Sequence, residues 1–244
     1  MFNPVRTITD QDIRTTTTSR VNGVKLGEVA VTVDGRVYRY AQAGATDLDP
    51  GKLCVNADAN ADVVNKTVAR TYTVAGLRST PEVIIDAGGA ITADDYRDGT
   101  LAITDATGEG VLSRVTGNTA TSGAAELTVY LAEPIPVALT IDVSEATLLK
   151  SPWDDIVISA TDQADQPVGV PNVTMDDADY GWVQTGGMCA VWADEAVTRG
   201  QALTIGTGTA GQVEALDAAG EPQIGIATIA LVDTEYRQAY LTMF

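Results

Sequence analysis

The chain has 244 residues, of which 33 are acidic, 15 are basic and none is histidine, for a formal net charge of −18. That balance argues against nucleic acid as a direct partner and against an anionic membrane surface, because both need clustered Lys and Arg. The missing histidine removes Ser-His-Asp and Cys-His catalysis together with every His-ligated metal site.

Hydrophobic residues make up 45% of the chain and aromatics only 5%, so Val, Ile, Leu and Ala must build most of any core. Frequent Thr and Val fit a pleated surface better than a helix. Residues 1–22 are polar, with the run Thr15, Thr16, Thr17 and Thr18 and little periodicity. They read as an extended N-terminal arm, residues 1–23, which is either a frayed terminus or a segment that orders on a neighbouring subunit.

From Val24 the pattern turns to β. Val29, Val31 and Val33 alternate with Ala30 and Thr32, Asp34-Gly35 supplies a turn, and Arg36-Val-Tyr-Arg-Tyr40 returns. Asp-Gly between alternating runs is a hairpin signal, since both residues accept the positive φ of primed turns. Pro50-Gly51 punctuates a stretch of small residues. Residues 63–79 and 83–86 are expected to form further strands around Thr71-Tyr-Thr-Val74. Leu127, Val129 and Leu131 alternate with polar neighbours as a half-buried strand, which Pro134-Ile-Pro136 breaks before residues 137–143 resume.

The last third opens with the runs 182–185 and 188–193, joined by Gly186-Gly187, and this spacing predicts a second hairpin. Short strands are expected at 201–205, 213–216, 224–231 and 236–244. No segment repeats apolar residues at helical spacing over three turns; the best short helix candidate is 214–219. The expectation is an all-β protein of many short antiparallel strands in two small β lobes, residues 24–150 and 151–244. Ser151-Pro152 and Gln166-Pro-Val-Gly-Val-Pro171 mark the linker region, and barrel and sandwich remain equally open.

Several motifs imitate chemistry. Asn56, Asp58, Asn60 and Asp62 alternate like calcium ligands, but the positions that need Gly and Glu hold Ala61 and Thr67, so a solvated loop is the plainer reading. Gly206-Thr-Gly208-Thr-Ala-Gly211 matches a dinucleotide fingerprint by letter, without the following helix that phosphate binding requires. Asp94-Asp95, Asp154-Asp155 and Asp176-Asp177 with Asp179 are pairs that so acidic a composition yields by itself. Trp182 and Trp192 are expected in the core, and Trp153, beside Pro152, as an interface anchor. Cys54 and Cys189 read as free buried thiols, with a disulfide as the alternative. The first residues lack a signal-peptide pattern, and no run reaches the ~20 apolar residues of a membrane span.

Tyr180-Gly-Trp-Val-Gln184, Val197-Thr-Arg-Gly-Gln-Ala-Leu203, Thr209-Ala-Gly-Gln-Val213, Pro222-Gln-Ile-Gly-Ile-Ala227 and Tyr236-Arg-Gln-Ala-Tyr-Leu241 follow one another in this order. Together with Leu26-Gly-Glu28, Asp34-Gly-Arg-Val-Tyr-Arg-Tyr40 and Pro50-Gly-Lys-Leu53, this order resembles tailed-phage head proteins of the capsid decoration (cement) type. The resemblance implies a bacteriophage virion structural protein, made in the bacterial host cytoplasm and placed on the capsid exterior. It further implies the major capsid protein as partner, a homotrimer, capsid stabilisation as the role, and no enzymatic activity or cofactor. A head fibre or tail protein, or a carbohydrate-binding or carbohydrate-hydrolysing virion module, is the alternative. The interface expected on this basis is the arm at Thr15, Thr16, Thr17 and Thr18, together with Trp153.

Overall fold

The structure, a computed structural model, describes residues 5–243. Residues 1–4 of the expected arm and Phe244 at the end of the expected last strand lie outside the described residues. The described chain forms 19 strands and one six-residue α-helix, so the all-β expectation holds. No helix among the described residues is long and apolar enough to cross a membrane.

The chain divides into two compact units, but not at the expected place. One unit combines the residues up to Ala57 with those from Pro152 on, and the other runs from Asp58 to Ser151. The boundary at Ser151-Pro152 is where the sequence put it. The other boundary corrects the 24–150 lobe, because strands Val29–Val31 and Val37–Gln42 belong with the C-terminal third. Tyr180, Trp182 and Gln184 pair with Gln42, Tyr40 and Tyr38. That pairing closes a loop of well over a hundred residues, which no local pattern reveals.

The first unit is organised around strand Tyr180–Trp192, and the hairpin expected at Gly186-Gly187 does not form. The strand continues through both glycines. Its first half pairs with Val37–Gln42 on one side and with Pro167–Pro171 on the other. Its second half pairs with Tyr236–Thr242, from Gly186 opposite Thr242 to Trp192 opposite Tyr236. The glycines mark the bulge where the register to Val37–Gln42 shifts. Gly187 has φ +84°, and a Cβ there would lie 3.1 Å from Arg36 Cα. The positive φ that suggested a turn is real, but it serves a kink within one strand.

At the bulge, the backbone loses its neighbour and a side chain takes over. Gln184 is fully buried; its Nε2 donates to Gly186 O (3.0 Å) and Met188 O (2.8 Å), while its Oε1 accepts from Tyr38 OH (3.2 Å). A buried carbonyl left without a partner costs roughly 1–3 kcal/mol, and Gln184 removes that cost at two of them.

From Tyr236–Thr242 the sheet continues through Gly225–Ala227 and Ala202–Ile205 to Val213–Ala215. Val213 then forms a parallel bridge to Ala193, next to the end of the long strand, so the sheet curls back on itself. Inside lie Cys189, Val191, Leu203, Ile205, Val213, Ile224, Ala239 and Leu241.

The N-terminal arm lies on its own unit. Arg6–Thr7 runs parallel to Val29–Val31, Thr17 and Tyr180 exchange backbone hydrogen bonds of 3.0 and 2.8 Å, and Ile8 and Ile13 are buried with Tyr38, Tyr40 and Trp182. The expectation of an extended arm holds only at Arg6–Thr7: the segment then turns through a 3-10 helix at Asp12–Arg14, and two isoleucines five residues apart give it apolar anchors that its polar composition obscured.

The second unit is a six-stranded antiparallel sheet in the order Lys66–Thr67, Glu145–Leu149, Thr100–Asp105, Leu112–Asn118, Ala125–Leu131 and Glu82–Ala87. A bridge between Val68 and Ile85 joins the first strand to the last, making a nearly closed barrel around Val83, Ile85, Leu101, Ile103, Val115, Leu127, Val129 and Leu148. Two expected strands are corrected here. Within 63–79, Thr73 caps helix Val74–Ser79 by accepting from Gly76 N at 3.1 Å, and this helix buries Leu77. Within 137–143, only Leu139 bridges, to Tyr72, and the paired strand is Glu145–Leu149. The helix candidate 214–219 is also absent, since Glu214 lies in strand Val213–Ala215.

An L-residue at the Gly187 backbone angle meets its own carbonyl and the neighbouring chain. Gly187→Ala is therefore expected to lower stability by about 1–2 kcal/mol, read as a lower urea midpoint at unchanged slope. Ala substitution at half-buried Gly123, where φ is not positive and nothing lies within 4 Å of the new Cβ, should shift the midpoint far less.

Candidate functional site

Side chains alternate along a strand, so in the second half of Tyr180–Trp192 the odd positions face the core and the even ones face out. Met188, Ala190 and Trp192 therefore share the outer face with Tyr236, Gln238, Tyr240 and Thr242 of the neighbouring strand, and with Ile226 and Ala202 beyond it. Met188, Tyr240, Ile226 and Ala202 stand directly opposite one another across four strands. Three of them are well exposed: Met188 at 43%, Tyr240 at 48% and Ile226 at 40%. At the other end of the face, Trp192 and Tyr236 stack with ring centroids 6.2 Å apart and planes 19° apart, and Lys52 Nζ lies 5.2 Å from the Trp192 ring.

None of these nine outward positions carries a charge, in a chain where one residue in five does. Met, Tyr and Trp are the types enriched in the desolvated centre of protein interfaces, from which Lys, Glu and Asp are depleted. The four strands beneath are joined in one hydrogen-bonded sheet, so the face is a rigid platform.

Beside it opens a groove of about 350 Å³, lined by Pro50, Gly51, Pro171, Asn172, Ala190 and Tyr236. Ala190 and Tyr236 belong to both groove and face. Gly51, at φ +76°, brings its backbone so close that a Cβ would lie 2.7 Å from the Tyr236 ring. Lys52 and Asp49 form an ion pair of 2.7 Å next to this wall.

The residues singled out in the sequence have local partners instead. Thr15 and Thr18 are exposed and Thr16 and Thr17 half-buried; Thr15 Oγ1 donates to Gln11 O (2.8 Å) and Thr17 Oγ1 to Ser19 O (2.8 Å). Trp153 is half-buried, its Nε1–H donates to Val168 O at 3.1 Å, and the Arg39 guanidinium lies 4.3 Å from its ring. None of the five contributes to the uncharged face. Trp182 is a core residue as expected, edge-on to Tyr40 at 5.2 Å, whereas Trp192, also expected in the core, is half-buried on the outer face because its even position in the strand points away from the core.

The chemical look-alikes resolve into turns. In the Gly206–Gly211 loop, Glu214 accepts from Thr207 N and Oγ1 at 2.9 Å each, and Asp194 accepts from Gly208 N at 2.6 Å. Carboxylates of the chain thus hold amide donors that a phosphate would need. Asn60 accepts from Asp62 N at the start of a single 3-10 turn, and Asp95 pairs with Lys150 at 2.7 Å. Among the described residues, no group of three or more Cys, Asp or Glu side chains is placed to hold a metal ion.

The face was written in the sequence as the uncharged even positions 188–192 and 236–242. Reading Gly186-Gly187 as a turn hid it, because a hairpin would set residues 188–192 against 182–185 and leave Tyr236–Thr242 without its neighbour. Compared with protein-family models, curated proteins and solved structures, the chain matches none.

Cys54 and Cys189 are both free and buried, as expected. Burial pushes both thiols up, Cys189 to about 12, so each stays protonated and unreactive near neutrality. With an aromatic disulfide reagent at pH 8, the native protein should release almost no chromophore. The same protein in denaturant should release two equivalents. Rapid native reaction of either thiol would contradict its burial.

Proposed function

We propose that this protein is a non-enzymatic structural component of a tailed-phage virion, which decorates the capsid exterior and stabilises it by clamping neighbouring major capsid protein subunits. The observation that carries this reading is the uncharged face of Met188, Trp192, Ile226, Tyr236 and Tyr240 on one rigid sheet. The order of motifs shared with decoration proteins supports it, and so does the charge distribution. A net charge of −18 keeps free copies apart and soluble, while the uncharged face is open to be desolvated on docking.

The mechanism follows from linkage. A protein that binds the assembled lattice, and not its separated subunits, adds its binding free energy to the cost of breaking the lattice. Three copies around a local three-fold axis would match the symmetry of such a shell. Contact through the sheet face leaves the N-terminal arm on its own unit, where Ile8 and Ile13 hold it.

Quantitative mass spectrometry of the purified source virus should find this protein in a number commensurate with the icosahedral lattice. A handful of copies would place it on the tail, and absence from the particle would overturn the reading. In re-binding to stripped shells, the double variant Met188→Ser, Tyr240→Ser should lose at least tenfold in affinity while its unfolding midpoint stays near wild type. Both side chains point into solvent, so retained binding would remove the face from the interface.

A further inference from the structure

We infer that Asn22-Gly23 is a site of spontaneous deamidation, and that its isoaspartyl product loosens the seam between the N-terminal arm and the sheet it lies on. The site is independent of the virion assignment.

The chain makes a β-turn here. Val24 N–H donates to Val21 O at 3.1 Å, and Gly23 takes the third position of the turn at φ +79°. Asn22 and Gly23 are both exposed. Neither the Asn22 side chain nor the Gly23 N–H has a hydrogen-bond partner among the described residues. Gly23 has no Cβ to crowd its own nitrogen, and the space where one would stand is open to 4 Å. The Gly23 nitrogen and the Asn22 side-chain carbonyl can therefore meet by rotation within Asn22 alone.

The reaction needs only water. Gly23 N gives its proton to solvent hydroxide and attacks Asn22 Cγ; the N–Cγ bond forms, the Cγ–Nδ2 bond breaks, and Nδ2 leaves as ammonia with a proton from water. The five-membered imide then takes up a water molecule. Breaking its N–Cγ bond gives aspartate. Breaking its bond from N to the Asn22 carbonyl carbon gives isoaspartate, whose main chain runs through Cβ and Cγ. Nothing is oxidised or reduced, and one water replaces one ammonia.

The other described asparagines are held back. Asn56, Asn60, Asn65, Asn118 and Asn172 each precede a residue with a side chain, which crowds the attacking nitrogen. Four of them are also tied. Asn56 Nδ2 donates to Ala57 O (3.3 Å), Asn60 Oδ1 accepts from Asp62 N (2.9 Å), and Asn65 Oδ1 accepts from Thr147 Oγ1 (3.0 Å). Buried Asn118 accepts from Tyr96 N and donates to Thr92 O and Thr119 O. Asn172 precedes the β-branched Val173, the most crowded neighbour of the set.

The product matters because this turn joins the arm to the sheet. Val21 N–H donates to the Tyr40 hydroxyl at 2.9 Å, and Arg20 Nε donates across the turn to Val24 O at 2.7 Å. Tyr40 stacks on Tyr180 and meets Trp182 edge-on, within the cluster that buries Ile8 and Ile13. Isoaspartate lengthens the chain between Val21 and Val24 by one carbon, so the hydrogen bonds that close the turn and tie it to Tyr40 no longer fit one span. Aspartate adds the charge and leaves the span alone.

The test ages the full chain at pH 8 and follows it by peptide mapping. Trypsin cuts after Arg20 and Lys25 and releases Val21-Asn-Gly-Val-Lys25, in which side-chain amide becomes acid. Conversion there should run at least tenfold faster than at any of the other five asparagines, and a methyltransferase specific for isoaspartyl carboxylates should label the product. Asn22→Gln, whose longer side chain would have to close a six-membered ring, should stay unlabelled. By NMR, the Val21 and Val24 amides should exchange hydrogen at least fivefold faster in aged wild type than in fresh Asn22→Asp, which carries the same charge on an unlengthened chain. The inference fails if Asn22 converts no faster than the other asparagines, if aged Asn22→Gln is labelled as strongly as wild type, or if aged wild type keeps Val21 and Val24 as protected as in Asn22→Asp.

Discussion

The first unit depends on one strand having three different neighbours along its length. Tyr180–Trp192 is held by Val37–Gln42 and Pro167–Pro171 over its first half and by Tyr236–Thr242 over its second. Changing partners in mid-strand strands backbone groups at the crossover, and buried carbonyls are too costly to leave bare. Gly186-Gly187 and Gln184 together meet that constraint. Gly187 absorbs the kink at a backbone angle other residues resist, and the amide of Gln184 stands in for the missing strand.

The uncharged face is a by-product of the same arrangement. Because the strand continues through the bulge, its second half can stack edge to edge with three further strands, and the curl closes through the bridge between Ala193 and Val213. The inward parity fills with Cys189, Val191, Ala239 and Leu241, so the outward parity is free of any folding requirement. Exposed positions free of that requirement would be expected to carry charge in so acidic a chain. They carry Met, Trp, Tyr and Ile instead, which is the physical ground for reading the face as a surface that another protein covers.

Where the long strand passes the segment around Pro50 and Pro171, Gly51 meets its edge: Trp192 N–H donates to Gly51 O at 3.0 Å, and Gly51 N–H goes on to Pro171 O at 2.9 Å. Elsewhere in the same unit the loops are self-sufficient. The carboxylates of Asp194 and Glu214 occupy the amides of the Gly206–Gly211 turn, and Lys150 takes up Asp95 in the other unit. Acidic residues that looked like chemistry in the sequence act mostly as caps and turn locks.

The sequence by itself determined the class of fold and much of its punctuation. Alternation at Val29–Val31 and Leu127–Leu131, the Asp34-Gly35 turn, the break at Ser151-Pro152 and the buried free thiols were all legible, because each is a local consequence of side-chain period, turn chemistry or polarity. Helix Val74–Ser79 was not, since Thr71-Tyr-Thr-Val74 has strand-forming residues and only the cap at Thr73 and the burial of Leu77 overrule them. Only the tertiary structure decided that residues up to 57 join those after 152, that Gly186-Gly187 is a bulge, that the middle unit closes as a barrel, and that the arm carrying Thr15 to Thr18 rests on its own unit. Each of these is a choice of partner between segments far apart in the chain. The energy that settles such a choice comes from long-range strand pairing and shared burial, and a local window of sequence contains only one side of each pair.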